Sequence, residues 1–394
     1  MANNKNKVLI AGGGIGGITA LLALRQRGID AELFEQAAAF GQVGAGLQVS
    51  GNATKILRAL GLGEALAKVA YYPQGRDYRA WDSGDRLYYT PLGERAEQRF
   101  GAPYYTAHRA DLLDVLLGGL GAKGFRLGCR IERFEQDDNG VTLFLADGST
   151  ATGDVLIGAD GIHSTVRGQM FGAELPRYTG NVAWRGLVPA ERIKHLGIEV
   201  ASHNWMGPDG HVVHYWVAAG RLMNVVCVVE HGTWTSESWT DKGDVAEVLA
   251  RYDGWHPIVR GLIKAFPETF IWALHDRLPL PRWSDGRVTL LGDACHPMLP
   301  MMAQGAAQSI EDGAALAALL TAMPGDVPGV LRRYEELRKP RATRLQEASA
   351  ANRTRFHLPD GPEQQQRDAS MAVSGDRSIA NIGWLYSHDA AAVV

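Results

Sequence analysis

Five of the six residues from Gly12 to Gly17 are glycine, and they separate the apolar run Val8–Ala11 from a second apolar stretch beginning at Ile18. A glycine inside a helix costs about 1 kcal/mol relative to alanine, so no single helix runs through this segment. That argues against an export signal, which Lys5, Lys7 and the apolar residues up to Leu24 would otherwise suggest. Arg25, Gln26 and Arg27 also stand where a small-residue cleavage site belongs. A strand, turn and helix account for every part. Val8–Ala11 reads as a buried strand, and Gly12, Gly14 and Gly17 as G-x-G-x-x-G. Ile18–Arg27 continues as a helix stopped by Gly28, and Ala31–Phe34 is a second strand ending at Glu35. The three glycines serve a tight turn, the close approach of a pyrophosphate and the packing of helix on strand. The helix N-terminus offers free N–H groups to that pyrophosphate. Glu35 falls about 20 residues on, where a carboxylate takes ribose hydroxyls. Ile15 within the turn and Gln36 after the carboxylate complete the candidate nucleotide contacts.

The same spelling recurs at Gly119, Gly121 and Gly124, but there it follows a helical stretch, Ala110–Leu117, and precedes a strand, Phe125–Phe134. In that reversed order the glycines form a helix cap and turn. The chain therefore has one dinucleotide fingerprint.

The 394 residues have room for two or three domains' worth of core. A net charge of −3 provides no polybasic face, which argues against nucleic acid as a partner. No apolar run reaches the ~20 residues that span a bilayer. Cys129, Cys227 and Cys295 are far apart and odd in number, which fits a reducing, cytoplasmic setting and excludes a C-x-x-C redox pair. The histidines show no ligand spacing, so no metal site is expected.

Beyond Glu35 a glycine loop, Gln36–Gly51, holds Gly41, Gly44 and Gly46. A short helix, Ala53–Leu60, follows, and Tyr71–Tyr89 alternates as one or two strands. Val141–Leu145 turns at Asp147-Gly148, and Val155–Gly158 is again a buried strand. Strands dominate Asn181–Phe270, with Trp184, Trp205, Trp216, Trp234, Trp239 and Trp255 among them. His211–Ala218 and Leu222–Val229 form a hairpin through Gly220. Val288–Leu291 returns to buried-strand character, a long helix covers Gly305–Ala322, and Asp326–Arg355 is helical and charged. The tail Pro359–Gly375 reads as polar loop. Glycine-terminated strands at both ends of the chain imply an α/β, Rossmann-type nucleotide domain over residues 1–72, 100–180 and 281–325. A β-rich substrate domain, 73–99 and 181–280, is inserted in it, and a helical segment and tail fill 326–394.

Two further motifs bear on function. Gly158-Ala-Asp160-Gly161 ends a strand, and Ser164 and Thr165 can cap the turn of helix that follows. Leu290-Leu291-Gly292-Asp293 delivers an acid to the carboxyl edge of a sheet, where open α/β sheets bind ligands. Pro297 and Gln304-Gly305-Ala306-Ala307 then open a helix whose N-terminus can stabilise an anion.

Together with His108-Arg109-Ala110-Asp111-Leu112, these motifs resemble the single-component FAD-dependent aromatic hydroxylases over almost the whole chain. Gly44-Ala45-Gly46-Leu47-Gln48-Val49 and the ending Trp384-Leu385-Tyr386-Ser387 are similar to the salicylate, 3-hydroxybenzoate and 6-hydroxynicotinate hydroxylases. The resemblance implies a glutathione-reductase-like FAD domain, NADH or NADPH as co-substrate, O2, and a small hydroxylated aromatic acid hydroxylated through a flavin C4a-hydroperoxide. A homodimer is the family expectation. It also implies that Glu35 binds the adenosine ribose, that Arg109 reaches the ribityl or pyrophosphate region and that Asp293 holds the ribityl chain. The Gly305–Ala307 backbone would lie beside the flavin pyrimidine. Asp160 would be structural or pyridine-nucleotide linked, and His296 structural.

Such chemistry needs a base to activate the ring hydroxyl and a dry site. The tryptophans of the insertion offer a dry wall, or ordinary core. In a strand, His211 and Tyr215 share a face, about 13 Å apart, with His214 on the other. They read either as catalytic and substrate-binding residues, a role the resemblance supports, or as a turn residue and a packed sheet residue. Gln48 faces the same pocket in the first reading, and so does Met301, which stands where related enzymes carry His or Gln. Two rival functions share the FAD fold or its fingerprint: an FAD oxidase or dehydrogenase, and a non-catalytic dinucleotide-binding protein.

Overall fold

The computed structural model describes residues 6–41, 45–121, 124–232, 234, 241–373 and 378–392. Gly44 of the glycine loop, Ala122 and Lys123 between Gly121 and Gly124, Trp239 and Gly375 lie outside the described residues.

The first strand, Lys7–Ala11, is buried and apolar from Val8 onward because it lies inside a parallel sheet with neighbours on both sides. Outward on one side come Val155–Gly158, Val288–Leu290 and the short antiparallel edge Ser284–Asp285. On the other side come Asp30–Phe34 and Phe125–Arg126. Register decides what this sheet can do. Ala11 pairs with Gly158, and Gly158 pairs with Leu290. The three strands therefore end level, and the turns after them, at Gly12, Ala159-Asp160-Gly161 and Leu291-Gly292-Asp293, meet at one edge.

Two helices start at that edge, Ile15–Gln26 and Gly305–Ala322. They pack so closely that a Cβ on Gly16 would stand 2.9 Å from the Ser309 Cβ, and one on Gly313 would stand 2.8 Å from the Ala20 nitrogen. Gly12 has φ +107°, and a Cβ there would meet the Ala159 carbonyl oxygen at 2.4 Å, so both its conformation and its space require glycine.

The second sheet has eight strands in the order Lys242–Gly243, Thr269–Asp276, Arg177–Pro189, Leu222–Glu230, Gly210–Val217, Ser202–Gly207, Gly75–Ala80, Arg86–Pro91. One face is covered by the helices Val245–Arg251 and Pro257–Lys264 through Trp184, Trp205, Val212, Val225, Tyr252 and Phe266. The other face looks toward the edge of the parallel sheet. The 30-residue helix Val327–Phe356 runs back from the nucleotide side to end against it.

Several sequence expectations change. The glycine loop contains a strand, Gly46–Val49, paired with Tyr105–His108; its short glycine-flanked run carries too little alternation to be read alone. Phe125–Phe134 is not one strand. Gly128, at φ +69°, breaks it, so Phe125–Arg126 joins the parallel sheet and Ile131–Gln136 a small antiparallel one. The tail is helical over Pro362–Val373, with Met371 buried and Arg367 bonded to the Arg355 carbonyl. Its polar surface hid the helix, although Pro362 at the first position is a start signal.

Candidate active site

Between the two sheets lies a cavity of about 680 Å³, within the range of small-molecule and cofactor pockets. Its nucleotide-side wall comes from the first turns of both helices and from the loops after the level strands: Gly14, Ile15, Gly161, Asp293, Gly305 and Ala306. The helix from Ile15 has Gly14 as N-cap and the helix from Gly305 has Gln304; neither has a side-chain cap. A Cβ at Gly14 would meet nothing within 4 Å, and one at Gly305 only Met298 at 4.0 Å. Two helix ends with free N–H donors thus open onto one cavity, which suits an anionic, phosphate-bearing ligand.

Glu35 stands behind the first turn. Its carboxylate accepts the Gly13 N–H at 2.7 Å and the Ala37 N–H at 2.8 Å, one on each oxygen. Each oxygen keeps a further lone pair for a hydroxyl. Gln36 beside it is exposed. Gly12 and Gly17 form the turn beneath the cavity wall, and Ala307 is packed into the core. Asp160 does not line the cavity. It accepts from the Ser164 hydroxyl and the Val166 N–H, while Ser164 caps the helix by accepting the Arg167 N–H at 2.9 Å.

Asp293 faces the cavity, and its side chain is open to that space. The protein packed around that space takes water from the carboxylate and raises its pKa, opposed by the charges of His296 and Arg109. His296 itself is buried against Asp312 at 2.6 Å. Asp312 also accepts from Arg338 at 2.8 Å, and Glu311 is paired with Arg338 and Arg341. Asn52, Ser50, Gln304 and Gln308 complete this buried network, which anchors the start of the Gly305 helix.

The opposite wall is the open face of the eight-stranded sheet. One cross-strand row, Tyr78, Asn204, Val213, Val226 and Arg185, runs over five strands, and all five residues line the cavity. His211 and Tyr215 flank Val213 on the same face. His214 points away: the Trp205 indole donates to it at 2.9 Å, and its ring stacks on His203. Burial, then the charge of His357, holds the His211 pKa well below the ordinary histidine value. Gln48 accepts from the Tyr104 hydroxyl at the cavity rim, and Met301 lines the floor near Leu299 and Pro300. The tryptophans proposed as a dry wall are elsewhere. Trp184, Trp205 and Trp255 are buried on the far face with Trp216 and Trp234 packed against them, and the cavity's indole is Trp272.

Two groups, one at the cavity and one behind its wall, escaped the sequence reading. Arg76 lines the cavity half-buried, and among the described residues its guanidinium donates to the hydroxyls of Tyr386 at 2.9 Å and Tyr78 at 2.6 Å. Among the described residues no carboxylate lies within ion-pair reach of it. The only signal was alternation, since Arg76 and Tyr78 share a strand face opposite the buried Asp77. The second is His357, whose Nε2 lies 2.7 Å from His211 Nδ1 across 146 residues of sequence; no local signal points to it.

Residues 5–349 match the FAD binding domain family. The chain belongs to that family. Among its relatives, a 3-amino-4-hydroxybenzoate 2-monooxygenase of Streptomyces platensis is 40% identical over 393 residues, covering 100% of this chain and 98% of the relative. A 6-hydroxynicotinate 3-monooxygenase of Bordetella bronchiseptica is 39% identical, covering 88% and 91%. The solved structure of Klebsiella pneumoniae HpxO, complexed with FAD and uric acid, superposes with a TM-score of 0.86 at 29% identity, covering 97% of this chain and 96% of that one. The FAD family and its Rossmann-type fold, read from the glycine and Gly292-Asp293 motifs, are thus confirmed. Among the described residues, no helix is long and apolar enough to cross a membrane, and no group of His, Cys, Asp and Glu could hold a metal ion.

Proposed function

We propose that this FAD-family enzyme hydroxylates a small aromatic ring carrying both a hydroxyl and a carboxylate, using NADH or NADPH and dioxygen. One observation carries this reading. A single cavity joins two uncapped helix ends to a sheet face that presents a neutral histidine, a tyrosine and an arginine lacking an acid partner. Relatives named for action on hydroxylated aromatic acids support it.

FAD, when bound, supplies the redox and oxygen-activating chemistry. Glu35 would take the ribose hydroxyls, the Gly14–Ile15 turn the pyrophosphate, Arg109 and Asp293 the chain between the phosphates and the ring. The Gly305–Ala307 N–H groups would hold the negative edge of the reduced ring. His211 stays uncharged at pH 7, so it accepts the proton of the substrate hydroxyl and makes the ring electron-rich. Tyr215 donates a hydrogen bond, and Arg76 receives the carboxylate with Tyr78 beside it. Trp272, Leu274, Val226 and Phe356 keep water from the reacting face.

The single dinucleotide fingerprint supports a nicotinamide that reaches FAD through this same cavity. Three free cysteines fit a reducing cytoplasm, and a homodimer follows the family expectation. The reading is tested by the visible spectrum of the purified protein and by a screen of hydroxylated aromatic acids. Substrate-stimulated NAD(P)H oxidation with a labelled oxygen atom from O2 in the product is the expected result. NAD(P)H-independent oxidation without oxygen incorporation would point instead to an oxidase.

A further inference from the structure

The His211 ring has a polar neighbour behind it. Its Nδ1 is 2.7 Å from Nε2 of His357, the residue that caps the C-terminus of the Val327–Phe356 helix. Nδ1 of His357 lies 3.6 Å from a carboxylate oxygen of Glu230, at the end of the strand Leu222–Glu230. Both histidines are buried, whereas the Glu230 side chain is 56% exposed. The three groups form a line from the cavity to solvent. We infer that His357 and Glu230 carry the substrate's hydroxyl proton from His211 to bulk water.

The inference rests on His211 being the base of the proposed hydroxylation. Its atoms balance. The ring O–H breaks as His211 Nε2 gains that proton, and the Nδ1–H of His211 passes to Nε2 of His357. The Nδ1–H of His357 has no hydrogen-bond partner among the described residues. It then leaves to Glu230, or to water at its carboxylate, once that exposed side chain moves to close the 3.6 Å gap. Return of a proton to the ring oxygen after hydroxylation runs the line backward and restores both tautomers. The alternative is to hold an imidazolium in a buried site without an acid beside it, which is costly.

The surroundings keep both rings neutral between transfers. Burial lowers the His357 pKa to about 4, helped by Arg353 one turn earlier on the same helix. Tyr252 is committed to the backbone carbonyls of His211 and Val228, and Phe356 packs edge-on against His211. The Asp209 backbone N–H holds the His357 carbonyl at 3.2 Å. Glu230 is thus the one carboxylate facing His357 among the described residues.

The test is stopped-flow proton release from the FAD-bound enzyme, read with a pH-indicator dye as a hydroxybenzoate substrate binds, beside the ring's phenolate absorbance. His357→Gln keeps an acceptor for His211 but cannot pass a proton on. It should slow proton release by about tenfold or more, with substrate affinity within about threefold. In His357→Ala, added imidazole should restore the rate, which a purely structural role would not allow. Glu230→Gln should slow release less, since water replaces the carboxylate. Wild-type release rates and pH profile in His357→Gln would overturn the relay. So would a loss confined to substrate affinity. A wild-type enzyme that releases no proton with any hydroxylated aromatic acid would overturn the proposed function itself.

Discussion

The side-chain oxygen of Asn224 accepts the Gly46 N–H at 2.7 Å, tying the strand on the nucleotide side to the substrate sheet. A Cβ on Gly46 would stand 2.6 Å from Asn224 and 2.8 Å from the Tyr215 ring. Gly46→Ala should therefore push Tyr215 and Asn224 out of place while leaving the glycine fingerprint intact. FAD content should stay near that of the wild type, while kcat/KM falls by about tenfold or more, since small misplacements at a reacting centre are costly. Loss of FAD in this variant, measured by absorbance after gel filtration, would mean that the strand serves the cofactor instead.

Arg76 should set the preference for acids. Arg76→Gln removes a charge-assisted contact worth about 1.5–3 kcal/mol, or roughly 10–150-fold in kcat/KM for a hydroxylated aromatic acid. Against the same ring without its carboxylate the variant should lose little. Equal losses on both compounds would assign Arg76 to the packing of Tyr78 and Tyr386.

His211 and His214 differ by one position and should differ in effect. His211→Ala should keep FAD and lower hydroxylation by ~10²–10⁴-fold, with more hydrogen peroxide formed per NAD(P)H consumed. His214→Ala leaves the buried Trp205 indole without its acceptor. It should cost about 1–3 kcal/mol of stability and little turnover. Thermal melts beside steady-state rates separate the two, and a reversed pattern would refute the assignment.

Glu35→Gln retains one oxygen acceptor and should weaken FAD binding less than Glu35→Ala, which leaves the Gly13 and Ala37 N–H groups without a partner as well. The alanine variant should lose about 1.5–3 kcal/mol of FAD affinity, read by fluorescence titration of the apoprotein. Unaltered affinity in both would place the ribose on another residue.

Asp312 links the active-site helix to acid stability. Burial raises its pKa, but His296 and Arg338 outweigh that and bring it to about 2, below the ordinary value of 3.8. The folded state therefore favours the carboxylate. Its stabilising contribution is complete above pH ~4 and is lost as pH falls through about 2. Asp312→Asn should lower Tm most above pH 4, with the gap to wild type closing toward pH 2. Arg338→Met removes the cation that Asp312 shares with Glu311 but leaves Arg341 on Glu311 and His296 on Asp312. It should therefore cost less than the ~3–5 kcal/mol of stranding a buried charge outright.

What could be read ahead of the structure was whatever a short run of residues decides alone. The Gly12–Gly17 turn, the strand ends at Gly158 and Gly292, and the Gly305–Ala322 helix are set by local steric and hydrogen-bonding needs. The shared face of His211 and Tyr215 follows from strand geometry in the same way. Arg76, Asn224 and His357 were not legible because their meaning comes from partners far along the chain. Arg76 meets Tyr386, Asn224 meets Gly46, and His357 meets His211. Nor was the direction of the tryptophans legible, since both faces of the eight-stranded sheet are buried and apolar periodicity does not say which one borders a cavity.

The close packing of Ile15–Gln26 on Gly305–Ala322 also has a consequence in time. The first helix leaves the ribosome well before the helix that covers it. At about 5–20 residues per second, roughly 15–60 s pass between them. During that interval the fingerprint is present without its floor, its apolar face is uncovered, and FAD has no complete place to bind. Cofactor capture therefore waits until the second helix has been made.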